Sequence, residues 1–299
     1  MKLANDIGIM NTENVTGEAT KTGTHVKKIT FIGGGNMASA MLAGLRKKHT
    51  TLDCHIIEPF AEARDKLATL NVTVYPAAVR DAVAGADAVV LAVKPQVLKH
   101  VCGELLPHLN GELIVSIAAG IKIASLSRWL NTQQRGYERI VRTMPNTPVL
   151  IGQGVTGLFA PDTLSATDVA TATELMQSTG IVVPVASEAM IDSVTAVSGS
   201  GPAYVFHWIE SMLAAAEDAG FNAADARTLV LGTLKGATAL AEASDVSPGI
   251  LRERVTSKGG TTAAALAVLN NRDVAGAILE AVRAAKNRGA ELGDLLDRE

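Results

Sequence analysis

The chain has 299 residues, of which 47% are hydrophobic, 19% charged and 3% aromatic, and 27 Lys and Arg face 30 Asp and Glu for a formal charge of -3. A folded chain of this size removes roughly three quarters of its unfolded surface from water, enough for a soluble globular protein of two domains. The charge pattern lacks the basic stripe that nucleic acid demands, no apolar run approaches the roughly 18 to 20 residues of a membrane span, and Cys54 and Cys102 are too few for a disulfide framework or a repeated CxxC zinc site.

Residues 1–26, rich in Thr, Asn, Glu and Gly, lack the apolar core of a secretory signal and read as a disordered tail or an expression remnant. Together with two thiols that read as buried, this makes the reducing cytoplasm the expected compartment. The run KKITFIGGG then reads as a strand ending in glycines, and NMASAMLAGLRKK as the helix it feeds. Further strands are predicted at His55–Glu58, at VTVY, over Asp87–Val93 and at ELIVSIA, RIVRTM and VTGLFA. Helices fall around Ala61–Leu70, from Pro95 and over IASLSRWL. Continuously apolar strands such as AVVLAV mark a sheet covered on both faces, so residues 27–186 are expected to form a doubly wound, largely parallel α/β dinucleotide-binding domain.

After about Ser187 strand signals stop, and residues 187–299 read as an all-α domain. A helix over Ala203–Ala219 places Val205, Trp208, Ile209 and Met212 on one broad apolar face. Pairing with another subunit and ordinary packing inside the domain both remain open for that face.

Gly33-Gly34-Gly35-Asn36-Met37-Ala38 is GxGxxA placed between a strand and a helix, the context in which this pattern signals a dinucleotide pyrophosphate. Gly33 makes the tight turn, Gly35 lets phosphates approach the backbone, and Ala38 allows close helix-strand packing, while the helix start contributes amides and positive dipole. Glu58, ending the second strand, suits both adenosine ribose hydroxyls and repels a 2'-phosphate, although Arg64 lies close enough in sequence to swing toward one. Its plain alternative is a solvated strand end. Lys94 follows the fourth strand at the sheet's carboxyl edge and lines the same cleft, unless it is an ordinary surface lysine. Small residues from Ser116 to Gly120 leave room there for a nicotinamide ring.

In the second half, Val255-Thr256-Ser257-Lys258-Gly259-Gly260-Thr261-Thr262 again feeds glycines into a helix start, where a small carboxylate can dock; simple N-capping is the alternative. Ser198-Gly199-Ser200-Gly201-Pro202 permits close backbone approach between helical stretches. The histidines at 25, 49, 55, 100, 108 and 207 show no metal-type spacing, and GxSxG is absent. No metal is expected. A nicotinamide enzyme without an evident acid or base suits a substrate that is already electrophilic, such as a protonated imine.

In order, ITFIGGGNMASAM, LAVKPQ, IVSIAAGI, RTMPNTP, AVSGSGPAYVF and VTSKGGTT resemble the pyrroline-5-carboxylate reductases from about Lys28 onward. The first two motifs are shared with β-hydroxyacid-type dehydrogenases; SGSGPAY and the GGTT loop together are specific to the family. The resemblance implies an α/β Rossmann-type domain followed by an all-α C-terminal dimerisation domain, with an active site using both. It also implies reduction of 1-pyrroline-5-carboxylate to L-proline, the last step of proline biosynthesis, with NADPH or NADH as cofactor and a homodimer or higher homo-oligomer as assembly. By the same resemblance Gly33, Gly34, Gly35, Asn36, Met37, Ala92, Val93, Lys94 and Pro95 contact the cofactor, and Ala119 and Asn146 lie on the nicotinamide side. Backbone amides of Gly260, Thr261 and Thr262 hold the substrate carboxylate with Ser257 beside them, the Thr262 hydroxyl meets the ring nitrogen as the catalytic group, and Asp245 favours the iminium.

The sequence departs from the family at Lys258, where the usual loop reads SPGGTT, and at Glu58, where a small hydroxylated residue is often found; Glu58 favours NADH. Two other functions stay in view. One is a β-hydroxyacid-type dehydrogenase with Lys94 as acid, the other a noncatalytic dinucleotide-binding sensor.

Overall fold

A computed structural model of the chain describes residues 26–48, 51–131 and 136–298. The expected tail therefore lies outside the described residues except for Val26, which is buried in the core. Eight strands are present: β1 (Lys28–Ile32), β2 (Asp53–Ile57), β3 (Thr73–Tyr75), β4 (Ala88–Leu91), β5 (Leu113–Ser116), β6 (Ile140–Met144), β7 (Gly154–Phe159) and β8 (Gly180–Pro184). The described helices are α1 (Asn36–Lys48), α2 (Ala61–Ala68), α3 (Arg80–Val83), α4 (Pro95–Leu105), α5 (Ile123–Trp129), α6 (Ala166–Gln177), α7 (Met190–Val194), α8 (Gly201–Asp218), α9 (Ala223–Glu242), α10 (Pro248–Arg254), α11 (Thr261–Asn271) and α12 (Val274–Arg298).

The chain forms two compact units: one takes the described residues up to Pro202 together with those from Val282 onward, and the other is Ala203–Ala281. In the first, a single sheet has the order β3-β2-β1-β4-β5-β6-β7-β8, parallel except for the antiparallel pair β6 and β7. The order reverses at β1, which lies between β2 and β4, and such a switch point opens a crevice at the carboxyl ends of the strands.

Both faces of the sheet are covered, as its apolar strands require. On one, Val90, Leu113 and Val115 pack with Met41, Leu42 and Leu45 of α1 and with Leu175 and Met176 of α6. On the other, Val89, Leu91 and Ile114 pack with Leu98, Cys102 and Leu105 of α4 and with Leu126 of α5. Burial pushes the Cys54 thiol up to about 11 and the Cys102 thiol up to about 12, so both stay protonated and inert.

The strands and helices read from the sequence in this unit are found, and elements that were not read join them. Among these are the short α3, α6 and the edge strand β8, which pairs only with β7 and leaves Ile181 and Val183 exposed. The strands therefore continue to Pro184 rather than finishing at VTGLFA.

The helical unit is built differently. Helices α8, α10 and α11 have no buried residue within the single chain, and α9 has only Ala226 and Val230. Val205, Phe206, Trp208 and Met212 on α8 are all exposed there.

Helix α1 crosses the end of α6 closely, and a Cβ on Gly44 would lie 2.3 Å from the Ser178 carbonyl oxygen. Gly44→Ala is therefore expected to destabilise the protein by about 1–3 kcal/mol despite its better helix propensity. Gly103→Ala in α4, where a Cβ meets nothing within 4 Å, is expected to stabilise by roughly 0.5–1 kcal/mol. Thermal unfolding of the two variants checks the opposite signs.

Candidate functional site

The first glycine-rich turn stands where β1, β2 and β4 end together. Gly33, at φ +96, donates its amide to the Ile57 carbonyl at 2.8 Å, and a Cβ there would lie 2.8 Å from Val93 Cγ1 and 2.9 Å from the Ala92 oxygen. Only glycine fits. Beyond it the first turn of α1 closes with the Ser39 amide on the Gly35 carbonyl, so the amides of Asn36 to Ala38 point out of the helix end.

Glu58 is nearly buried and uses both carboxylate oxygens: Oε2 accepts the Gly34 amide at 2.9 Å and Oε1 the Phe60 amide at 3.0 Å. Its own amide donates to the Tyr75 carbonyl at 2.9 Å, which fixes the residue between β2 and β3. This is not a solvated strand end. Arg64 turns its guanidinium back on the same segment, donating to the Glu58 and Pro59 carbonyls at 3.0 and 2.6 Å.

Two cavities flank the turn. One of about 610 Å³ is lined by Gly33, Glu58, Ala92, Val93, Lys94 and Val97, and another of about 710 Å³ by Gly34, Asn36, Ser39, Phe60 and Lys66; Gly35 borders both. A Cβ on Gly35 would meet nothing within 4 Å, so the space beside it is open. Apolar walls from Val93 and Val97, free helix-end amides and the adjacent Lys94 fit the flat ring and phosphates of a dinucleotide. Pro95 opens α4 as its first residue, which suits a side chain without a donor. Met37 points its side chain into the core, leaving its backbone for the turn.

Ala119 is exposed in the loop leaving β5, and Asn146 is nearly buried beyond β6. Neither belongs to the lining of those two cavities. Asn146 is committed to protein partners: its Oδ1 accepts the Val155 amide at 2.9 Å, and its Nδ2 is 3.2 Å from both the carbonyl and the hydroxyl of Ser198. Ser198 lies in a π-helical turn, Thr195–Gly199, and a Cβ on Gly199 would lie 2.7 Å from Met144 Cε. The RTMPNTP and AVSGSGP segments are thus joined side by side, a link that neither motif announces alone.

Sequence reasoning also missed the centre beneath them. Arg142, only 2% exposed within β6, bridges Glu188 and Asp192 of the α7 region, each at 3.1 Å. A charge inside the apolar run RIVRTM was the available signal, because a buried cation requires buried partners.

In the helical unit, Asp245 is exposed in the turn between α9 and α10. Ser257, Gly259 and Gly260 form the turn into α11: the Gly260 amide donates to the Ser257 carbonyl at 3.0 Å, Gly259 takes φ +72, and a Cβ on Gly260 would lie 2.3 Å from Ser257 Oγ. Gly260 is the N-cap of α11 and no side chain caps it, so the first-turn amides after it, those of Thr261 and Thr262 included, point outward from the helix end.

A family model described as pyrroline-5-carboxylate reductase dimerisation matches residues 188–292, and one described as NADP oxidoreductase, coenzyme F420-dependent, matches residues 28–120. The pyrroline-5-carboxylate reductase of Pseudomonas aeruginosa is 44% identical over 271 residues, covering 90% of this chain and 98% of that protein. The chain belongs to the pyrroline-5-carboxylate reductase family. The Haemophilus influenzae reductase is 40% identical over 272 residues, with 98% of its length covered. Among solved structures, a pyrroline-5-carboxylate reductase from Coxiella burnetii superposes with a TM-score of 0.81 at 37% identity, covering 89% of this chain and 98% of that one. A Plasmodium falciparum pyrroline carboxylate reductase with NADP bound gives 0.76 at 28%, covering 90% and 98%.

The matched region is a dimerisation domain, and the chain is built as a homo-oligomer. Among the described residues no helix is long and apolar enough to cross a membrane. Each buried large apolar side chain contributes roughly 1.5–3 kcal/mol, so most of the helical unit's stability comes from association. The unfolding midpoint is expected to rise with protein concentration, and Phe206→Glu to yield a dissociated, less stable chain by light scattering. A concentration-independent midpoint would contradict this.

Proposed function

We propose that the chain reduces 1-pyrroline-5-carboxylate to L-proline with NADPH or NADH, as the last step of proline biosynthesis in the cytoplasm. The observation that carries this reading is that both glycine-rich helix starts, at Gly33–Asn36 and Gly259–Thr262, lie within one likeness spanning 98% of a reductase of that name. The named relatives support this reading over the dehydrogenase and sensor readings.

A reduced nicotinamide, when bound, supplies a hydride to the imine carbon, and the ring nitrogen carries the proton that makes that carbon electrophilic. The residues of the chain bind and orient. Gly35, Asn36 and Met37 present backbone amides to the pyrophosphate, Gly33 and Gly34 shape the turn with their own amides held by Ile57 and Glu58, Ala92, Val93, Lys94 and Pro95 lie beside them, and Ala119 is on the nicotinamide side. Asn146 serves that side by holding the Ser198 turn. Around the substrate, amides of Gly260, Thr261 and Thr262 take the carboxylate with Ser257, the Thr262 hydroxyl meets the ring nitrogen, and Asp245 favours its protonated form. Lys258 adds a positive charge toward an anionic substrate.

Glu58 sets the cofactor preference. Its carboxylate, held by the Gly34 and Phe60 amides, borders the cleft and is the group we expect to oppose a 2'-phosphate. Glu58→Ser is therefore expected to raise the ratio of kcat/KM for NADPH over NADH by about tenfold or more. An unchanged ratio would remove Glu58 from that role.

The direct test follows nicotinamide absorbance with pyrroline-5-carboxylate as substrate. Thr262→Ala is expected to lower kcat by about 100-fold with cofactor binding intact, the loss of the group that orients the ring nitrogen. Unchanged turnover would take Thr262 out of the reaction, and cofactor binding without any turnover by the parent chain would overturn the reductase reading.

A further inference from the structure

The loop that leaves β5, Ile117–Lys122, is made of small residues at its centre. Ile117 and Ile121 are packed into the cores on either side, and between them Ala119 and Gly120 leave room for a ring but carry no long side chain, with glycine adding freedom. The Ala119–Gly120 stretch is held in addition by the last turns of α12.

Gly120 and Gly293 meet backbone to backbone. A Cβ on Gly293 would lie 2.7 Å from the Gly120 carbonyl oxygen, and one on Gly120 would lie 3.5 Å from the Gly293 nitrogen. Gly120 takes φ +77, and among the described side chains Gly293 is the one buried residue of α12. Around this contact Lys122 Nζ pairs with Asp294 at 2.7 Å, and Asp297 accepts from the Ser125 hydroxyl and, at 2.6 Å, from Arg128. Leu296 packs on the core beneath α5. The loop's exit is held as well, by Glu188 accepting the Ile123 amide at 2.7 Å.

These ion pairs are solvent-exposed and contribute little to stability. Yet all of them converge on Lys122–Arg128 and on one backbone approach that tolerates glycine alone. That concentration is out of proportion to a role in global stability and matches the needs of a loop that must hold its place to within a fraction of an ångström.

We propose that Gly293, Asp294 and Asp297 are positioning residues that fix the Ala118–Lys122 loop for hydride transfer, so that the end of α12 is part of the cofactor site. The proposal rests on the reading of Ala119 as the nicotinamide-side residue. The three residues act through the loop and touch neither cofactor nor substrate.

Gly293→Ala is the test, with Gly289→Ala one turn earlier as control, since a Cβ at Gly289 meets nothing within 4 Å. In the full-length enzyme, Gly289→Ala is expected to leave kcat unchanged and Gly293→Ala to lower it by about 10- to 100-fold, the cost of misplacing a reacting group. The KM for pyrroline-5-carboxylate and the affinity for ADP-ribose, which lacks the nicotinamide, are expected to stay unchanged. Unchanged kcat in Gly293→Ala, or a parallel loss of ADP-ribose affinity, would overturn the proposal. Should Gly293→Ala fold poorly, the surface variant Asp294→Lys is expected to lower kcat and the charge-exchanged pair Lys122→Asp with Asp294→Lys to restore it; no loss, or no rescue, counts against the proposal. Ala119→Leu separates the two readings. If it impairs NADH turnover while Gly293→Ala does not, positioning by α12 fails alone; if neither variant does, the loop is not at the nicotinamide and both readings fail.

Discussion

The absence of room for a single carbon atom at Gly33 organises the sheet unit. Its amide is bound to the end of β2, and its α-carbon lies against the end of β4, so three strand ends are brought to one point and β1 must turn there with φ positive. Everything that forms the dinucleotide crevice follows from that convergence. Helix α1 starts immediately and presents its amides, Glu58 reaches across to the Gly34 amide, and Ala92, Val93 and Lys94 close the other side. A larger residue at Gly33 would displace the end of β4 and open the crevice.

Charge is handled in two ways. Glu58 and Arg142 are both nearly buried, but Glu58 is held by backbone amides whereas the two terminal nitrogens of Arg142 pair with two carboxylates from one short helical region and its Nε has no partner among the described residues. Removing one partner of such a buried pair costs about 3–5 kcal/mol, so α7 and the turn after it are firmly fixed to β6. Asn146 then takes hold of that turn at Ser198. The site described by the family motifs is thus supported by a polar layer within the sheet unit.

What could be read from the sequence was largely local. The glycine turn, the continuously apolar strands and the helix starts at Pro95 and Thr261 depend on neighbouring residues and were legible. Strand β8 was not, because an edge strand with Ile181 and Val183 exposed carries no alternation and ends in proline. The partners of Arg142 lie 46 and 50 residues further along, and nothing near Arg142 names them. Gly293 illustrates the limit best: in sequence it is a poor helix former, and only its contact with Gly120 explains it. The apolar face of α8 was visible, but whether it met the same chain or another was not a property of the helix.

The two glycine-rich helix starts divide the chemistry, one suited to a pyrophosphate and the other to a small carboxylate, and the central claim is that a hydride passes to the imine carbon of pyrroline-5-carboxylate. The most direct measurement supplies that substrate with a nicotinamide cofactor deuterated at the transferring position and determines the product by mass spectrometry and NMR. Proline carrying one deuterium at the former imine carbon is the predicted result. Cofactor bound without oxidation, or proline formed without the label, would contradict it.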